Sequence, residues 1–244
     1  MSKLQFRRFF SVDNPKAVKA QKLGWLNAIN YMAPHRSAGV GDLCGNASAG
    51  CIALCLGEHS GNAALYPAVM NSRIAKARYF MRDRKAFIEE MIAHIVRLVV
   101  HARDAGLHLC VRLNGATDLA WEGLAPQLFA AFPDVQFVDY TKSKKRALAH
   151  ARGQLPANYH LTFSRSETNE ADCLEVLAAG GNVAVVFAGL FPDRYLDRPV
   201  VNGDAHDLRH LDPTGSVCSR HGVVIGLSPK GLKAKRDASG FVVR

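Results

Sequence analysis

No run of this 244-residue chain is apolar enough over about 20 residues to cross a bilayer, which excludes a membrane protein built on spanning helices. The opening Met-Ser-Lys-Leu-Gln-Phe-Arg-Arg lacks the apolar core of a secretory signal, so a cytosolic setting is expected. No Gly-x-Gly-x-x-Gly follows an apolar run, and no Walker loop is present. Gly39-Val-Gly41 is too short a match to support phosphate cradling. There is no Gly-x-Ser-x-Gly elbow for a serine hydrolase, and no internal repeat or low-complexity tract for a solenoid. Acidic residues are also short in supply. Against 31 lysines and arginines stand 21 aspartates and glutamates, a formal charge of +10 that favours an anionic partner, nucleic acid or nucleotide. The basic residues gather at Lys3, Arg7, Arg8, Lys16, Lys19 and Lys22, at Lys142 to Arg146, and at Lys230 to Arg236. The same charge would also keep a surface soluble.

What is present is a repeated unit. Apolar runs of strand length each end in a polar cluster and lead into a helix-like stretch: Leu109 to Leu113 before Asn114 to Asp118, Val135 to Val138 before Asp139 to Lys142, and Tyr159 to Phe163 before Ser164 to Glu167. Further runs follow at Val183 to Phe187, Val200-Val201 and Val223 to Leu227, and Leu26 to Met32 is a candidate first strand. Strands separated by helical stretches of about 10 to 15 residues read as βαβ units with a parallel sheet, so the loops after the strands converge on one edge. The fold class expected is α/β, a partial or complete parallel (β/α) barrel with a cysteine-bearing N-terminal loop. At 48% hydrophobic, the chain can fill one core, and residues 1–244 are expected to form one domain with a basic N-terminal arm over 1–24.

The longest helix is expected from Asp83 to Ala105, with Phe87, Met91, Ile95 and Leu98 on one face and Gly106 as its stop. Ser164 and Glu167 have the spacing of a capping box. Lys142, Lys144 and Lys145 fall in the first turn of a helix, where positive charge opposes the macrodipole and a bound anion would relieve it. Proline-bearing stretches at Pro192 to Pro199 and Pro213 to Gly222 mark late loops able to act as lids.

Two groups of residues carry chemistry. Cys44, Cys51 and Cys55 lie within twelve residues, separated by small side chains. Cys51 and Cys55 share a face if the segment is one helix, so three thiolates can meet around a zinc ion or an iron–sulfur cluster, with His59 or an open position as the fourth. Free cysteines are equally at home as small buried hydrophobes, the reading that suits Cys110, Cys173 and Cys218. At the strand ends, Asp118, Asp139, Asp204 and Glu167 are candidate acid, base or nucleophile, because crowded carboxylates push one another's pKa values apart. Arg112, Asn114, Lys142, Ser164, Arg165, Asn202 and Arg209 are candidate substrate contacts. Asp118 and Asp139 also suit helix caps. His206 and His210, four apart, would share a helical face, and Trp121, Tyr140, Tyr159 and Phe163 are candidate stacking surfaces for a base, or core.

The segments Asn46 to Leu56, Arg112 to Asp118, Asp139 to Lys142, Asn158 to Glu167, Asn182 to Phe187 and Asn202 to Arg209 resemble those of the bacteriophage gene product 88 family, over about Asn27 to Val243. The resemblance implies phage or prophage origin, hence the host cytosol, and a shared fold rather than a reaction. A looser likeness is to radical S-adenosylmethionine enzymes, which place three cysteines after the first strand of a partial barrel and so imply S-adenosylmethionine. Here the gaps are six and three residues instead of three and two. A third, architectural likeness is to barrel transglycosylases that exchange guanine for 7-deazaguanine using paired aspartates and zinc, although their metal motif lies late in the chain. Two functions are therefore expected: a metal- or cluster-containing enzyme acting on nucleic acid or a nucleotide, or a non-catalytic nucleic-acid-binding protein whose cysteines are structural.

Overall fold

The computed structural model describes residues 5–13, 15–213 and 221–244. Nine strands form one sheet: β1 (Trp25–Ile29), β2 (His108–Arg112), β3 (Gln136–Thr141), β4 (Tyr159–Ser164), β5 (Val183–Phe187), β6 (Arg194–Tyr195), β7 (Arg198–Asn202), β8 (Val224–Leu227) and β9 (Val242–Val243). The order is β1-β2-β3-β4-β5-β8-β7-β6, with β9 beside the end of β5. Every pair is parallel except β6 with β7. The seven apolar runs read from the sequence fall on β1 to β5, β7 and β8; β6 and β9 are not among them.

The sheet does not close into a barrel. Strands β1 to β5 advance one place at a time, but β8 inserts between β5 and β7, so the order reverses and the far edge ends in the β6–β7 hairpin. That hairpin occupies the proline-bearing stretch read as a loop, and Leu196 and Asp197, both at positive φ, form its turn. At the opposite edge, Ser11 of the N-terminal segment bridges Ile29 of β1 in antiparallel fashion. The second late loop falls largely outside the described residues, as does Cys218.

Strand alternation gives the sheet two different faces. Leu26, Leu109, Val111, Phe137, Tyr159 and Leu161 point to one, where they pack with the helices. The long helix, expected from Asp83 to Ala105, runs Arg84–Asp104 with Asp83 as its N-cap and contributes Phe87, Met91 and Ile95, all fully buried. Each such side chain contributes roughly 1.5–3 kcal/mol by leaving water. On the other face, Cys110 and Val138 pack with Ala20 and Leu208, so the helix Pro15–Gln21 and the segment after β7 cover it.

The N-terminal segment is docked rather than trailing. Phe9 is fully buried, Phe6 N donates to Glu90 Oε1 (2.6 Å), His94 Nε2 meets Phe6 O (3.1 Å), and Lys76 Nζ donates to Phe9 O. Among the described residues, no helix is long and apolar enough to cross a membrane.

Two local readings change. The helix after β4 is Glu170–Ala178 with Asn169 at its N-cap position, so Ser164 and Glu167 form no capping box; Ser164 is the last residue of β4. The helix after β3 is Lys144–Ala151, capped by Ser143. Its first-turn charge is compensated by Asp172 and Glu175, which pair with Lys144 at 2.8 and 3.1 Å.

Candidate functional site at the carboxyl edge

The loops following the parallel strands enclose a cleft of about 1820 Å³. Its floor and walls include Tyr31 after β1, Arg112 to Asp118 after β2, Tyr140 to Lys142 at the end of β3, Ser164 of β4 and Leu227 to Lys230 after β8. Parallel strands fix this convergence, since every crossover returns the chain to the same starting edge. Basic side chains outnumber acidic ones along the walls, in keeping with the net charge.

All three loop cysteines open on this cleft. The segment is two short helices, Ala49–Ala53 and Leu56–His59, broken at Leu54 and Cys55, so Cys51 and Cys55 share no single helical face and tertiary folding brings them together. Burial pushes the Cys44 thiol up to about 12 and the Cys55 thiol up to about 11, and it raises Cys51 too. Cys44 Sγ accepts from His35 N (3.2 Å) and donates to Ala116 O (3.6 Å). None of the three is in a disulfide. Lys142 faces Cys51 and Arg73 faces Cys55, each cation favouring the thiolate. Three soft donors in one cleft are of the ligand type that zinc and iron–sulfur clusters use. Among the described residues, no three His, Cys, Asp or Glu side chains are set as a metal site. His59 does not line the cleft.

The four candidate acids have different places. Glu167 reaches back to the cysteine loop: Gly50 N donates to its Oε1 (2.7 Å) and Ser48 Oγ to its Oε2 (2.8 Å), while Ser48 Oγ in turn accepts from Cys51 N (3.2 Å). Burial raises its pKa, but these donors and Lys142 outweigh it and hold the carboxyl below its ordinary value. A Cβ on Gly50 would lie 2.7 Å from Glu167 Oε2, so a side chain there would push the carboxylate out of this clamp. Glu167→Ala is expected to cost about 1–3 kcal/mol and to speed amide exchange at Gly50 and Cys51; unchanged exchange at both would show that the clamp does not hold the loop.

Asp118 lines the cleft but accepts from Lys142 N (2.8 Å) and pairs with Arg146 (2.7 Å); it caps no helix, since the next one, Trp121–Leu124, starts after Ala120. Asp204 lines the cleft and accepts from Ser228 N (2.9 Å) and Lys230 Nζ (3.1 Å). Burial works against its charge, yet these donors hold its pKa below the usual range. Asp139 does not reach the cleft. It is fully buried and takes hydrogen bonds from Asn114 N (2.7 Å), Asn114 Nδ2 (3.0 Å) and Tyr159 OH (2.9 Å).

Of the candidate contacts, Arg112, Asn114, Lys142 and Ser164 line the cleft, though Asn114 is almost fully buried and its side chain binds Thr117, Leu119 and Trp121. Arg165 leaves the cleft to donate to Gly240 O and Phe241 O, Asn202 caps Asp204 N, and Arg209 is fully buried against Asp212. Trp121, Tyr159 and Phe163 are core, whereas Tyr140 lies in the cleft under Arg112. His206 precedes the turn Arg209–Leu211, so it and His210 share no helical face; His210 packs on Trp25.

Tyr31 and Arg73 were not singled out in the sequence. Tyr31 follows β1 and obeys the same strand-end rule as the others. Arg73 sits mid-helix in Pro67–Arg82 and carries no local signal.

The sequence matches the family described as gene product 88 over residues 7–244. No curated protein and no solved structure matches it.

Proposed function

The chain belongs to the gene product 88 family, and from that premise we propose that it is an enzyme whose carboxyl-edge cleft takes up a nucleotide, free or within nucleic acid, beside a metal centre on Cys44, Cys51 and Cys55. One observation carries this reading: three thiols from a loop before the long helices open on the same cleft as the ends of β2 to β4, among cations. Zinc there would supply Lewis acidity, and an iron–sulfur cluster would supply electron transfer or, with S-adenosylmethionine, radical chemistry. Asp204, ionised at neutral pH, is the carboxylate we assign as base, with Lys230 holding its orientation. Asp118 orients Lys142 through its backbone N–H. Asp139 and Glu167 are left to support the scaffold.

The test is metal, sulfide and visible absorption of protein purified without air, compared with the Cys44/Cys51/Cys55 triple serine variant. Bound iron and sulfide, or stoichiometric zinc, lost in a variant that remains folded, is the expected result. A brown protein makes S-adenosylmethionine the next ligand to titrate. A metal-free parent would sink the metal centre. The non-catalytic alternative draws support from the structural engagement of Asp139 and Glu167; it predicts that the triple variant loses stability while nucleic-acid binding persists without turnover.

A further inference from the structure

The cations of the cleft differ in how far their donors are used. Lys142 Nζ is within hydrogen-bonding distance of Ser164 Oγ (2.8 Å), Ser164 O (3.4 Å) and Arg165 O (3.3 Å), which matches its three N–H groups. Lys230 is paired with Asp204. Arg112 is different. Its Nε donates to Asn114 O (3.2 Å) and its Nη2 to Gly115 O (3.4 Å), which fixes the guanidinium plane over the Tyr140 ring, 4.7 Å from the centroid; Asp207 and Asp139 favour its charge, but among the described residues Nη1 makes no hydrogen bond. Arg73 repeats the arrangement: Nη1 donates to Gly57 O, the group lies 4.6 Å from the Tyr31 centroid, and its buried Nε has no partner. Among the described residues neither arginine has a carboxylate in an ion pair, whereas Lys144, Arg146, Arg209 and Lys230 all do.

The two arginine–tyrosine pairs adjoin. Gly115 N donates to Asn30 O (2.8 Å), and a Cβ on Gly115 would lie 2.7 Å from Tyr31 Cδ1 and 2.5 Å from Asn30 O, so the loop that holds Arg112 presses directly on Tyr31. A guanidinium whose plane is already fixed binds an anion with little further loss of freedom. Guanidinium forks match phosphate oxygens two at a time, and tyrosine rings beside them suit the flat face of a base.

Resting on the reading of the cleft as the working site, we propose that Arg112 and Arg73 together seat the phosphate of a nucleotide unit whose base lies against Tyr31 or Tyr140. A free nucleotide and a nucleotide within a single strand offer the same chemistry. The experiment is calorimetric titration, at one fixed ionic strength, of each nucleoside 5′-monophosphate, the matching nucleosides and a short single-stranded oligonucleotide. The proteins are the parent, Arg112→Gln, Arg112→Lys, Arg73→Gln and the triple cysteine variant. A monophosphate or the oligonucleotide binds the parent, and the ligand that binds identifies the source. The bare nucleoside binds at least about tenfold more weakly. Arg112→Gln and Arg73→Gln each weaken binding by about tenfold or more, and Arg112→Lys, which keeps the charge and loses the fork, falls between. The triple cysteine variant still binds, so loss of the metal centre and loss of this site are separate results. No binding of either phosphate ligand overturns the proposal, as does equal affinity for nucleoside and monophosphate, or folded glutamine variants that bind like the parent.

Discussion

Arg146→Ala is expected to remove about 3–5 kcal/mol of stability, the range for breaking a buried ion pair and leaving its partners uncompensated. Arg146 lies between the helix Lys144–Ala151 and the sheet, with its side chain about 10% exposed. Its Nε and Nη2 take both oxygens of Glu122 (2.6 and 2.9 Å), its Nη1 takes Asp118 (2.7 Å) and Thr141 Oγ1 (3.2 Å), and Nη2 also reaches Tyr159 OH (3.1 Å). Alanine would strand two carboxylates that are themselves only 12% and 15% exposed. The consequence reaches the cleft, because Asp118 also fixes the backbone of Lys142. In a Glu122→Gln background the same substitution should cost less, since one stranded charge has already been removed. Urea unfolding followed by circular dichroism measures both; a loss under about 1 kcal/mol for the single variant would mean that the network is slack.

Asp139 gives the second large effect, and it depends on pH. Burial raises its carboxyl to about 7, while the N–H of Asn114, the charge of Arg112 and the hydroxyl of Tyr159 pull it down. Between pH 4 and 7 the folded protein therefore holds a proton that the unfolded chain has released. Stability from this group is fully present below about pH 4, falls as pH rises through about 7, and levels off above it, a swing on the order of 4 kcal/mol. Asp139→Asn should flatten that slope. Asp139→Ala should cost about 3–4 kcal/mol at pH 4.5, since it orphans Asn114 N and Tyr159 OH and opens a cavity, and less as pH rises and the parent loses the stability that the protonated carboxyl supplies. Denaturant midpoints at pH 4.5, 6 and 7.5 for parent and both variants separate these effects. Equal slopes in parent and Asp139→Asn would show that Asp139 titrates near its ordinary value. An alanine variant of parental stability at pH 4.5 would return this acid to the list of groups that act chemically.

Arg146 and Asp139 meet at Tyr159, which donates to Asp139 and accepts from Arg146, so their substitutions should be non-additive. Behind the cleft, one hydrogen-bonded chain from Glu122 through Arg146, Tyr159 and Asp139 to Asn114 ties the start of β4 and the middle of β3 to the loop after β2. Polar clusters at strand ends thus serve two purposes here, and only those that turn toward the cleft are free for chemistry.

By itself the sequence determined β1 to β5, β7 and β8, their parallel sense and the edge on which their loops converge, because hydrophobic periodicity and the spacing of βαβ units are local properties of the chain; β6 and β9, two residues each, are too short to show such a pattern. It also determined the net positive charge and the presence of three cysteines in one loop. Tertiary structure alone decided that β8 would insert beside β5, ending the sheet short of closure; the insertion depends on which edge is free when the chain returns. It decided that Asp139 faces away from the cleft while its neighbour Tyr140 faces into it. Alternation says that adjacent strand residues oppose one another, and packing chooses which face meets the helices. It also brought Arg73, from the middle of a helix, to the ring of Tyr31. That contact joins residues 42 positions apart, and nothing in the local pattern of either segment encodes it.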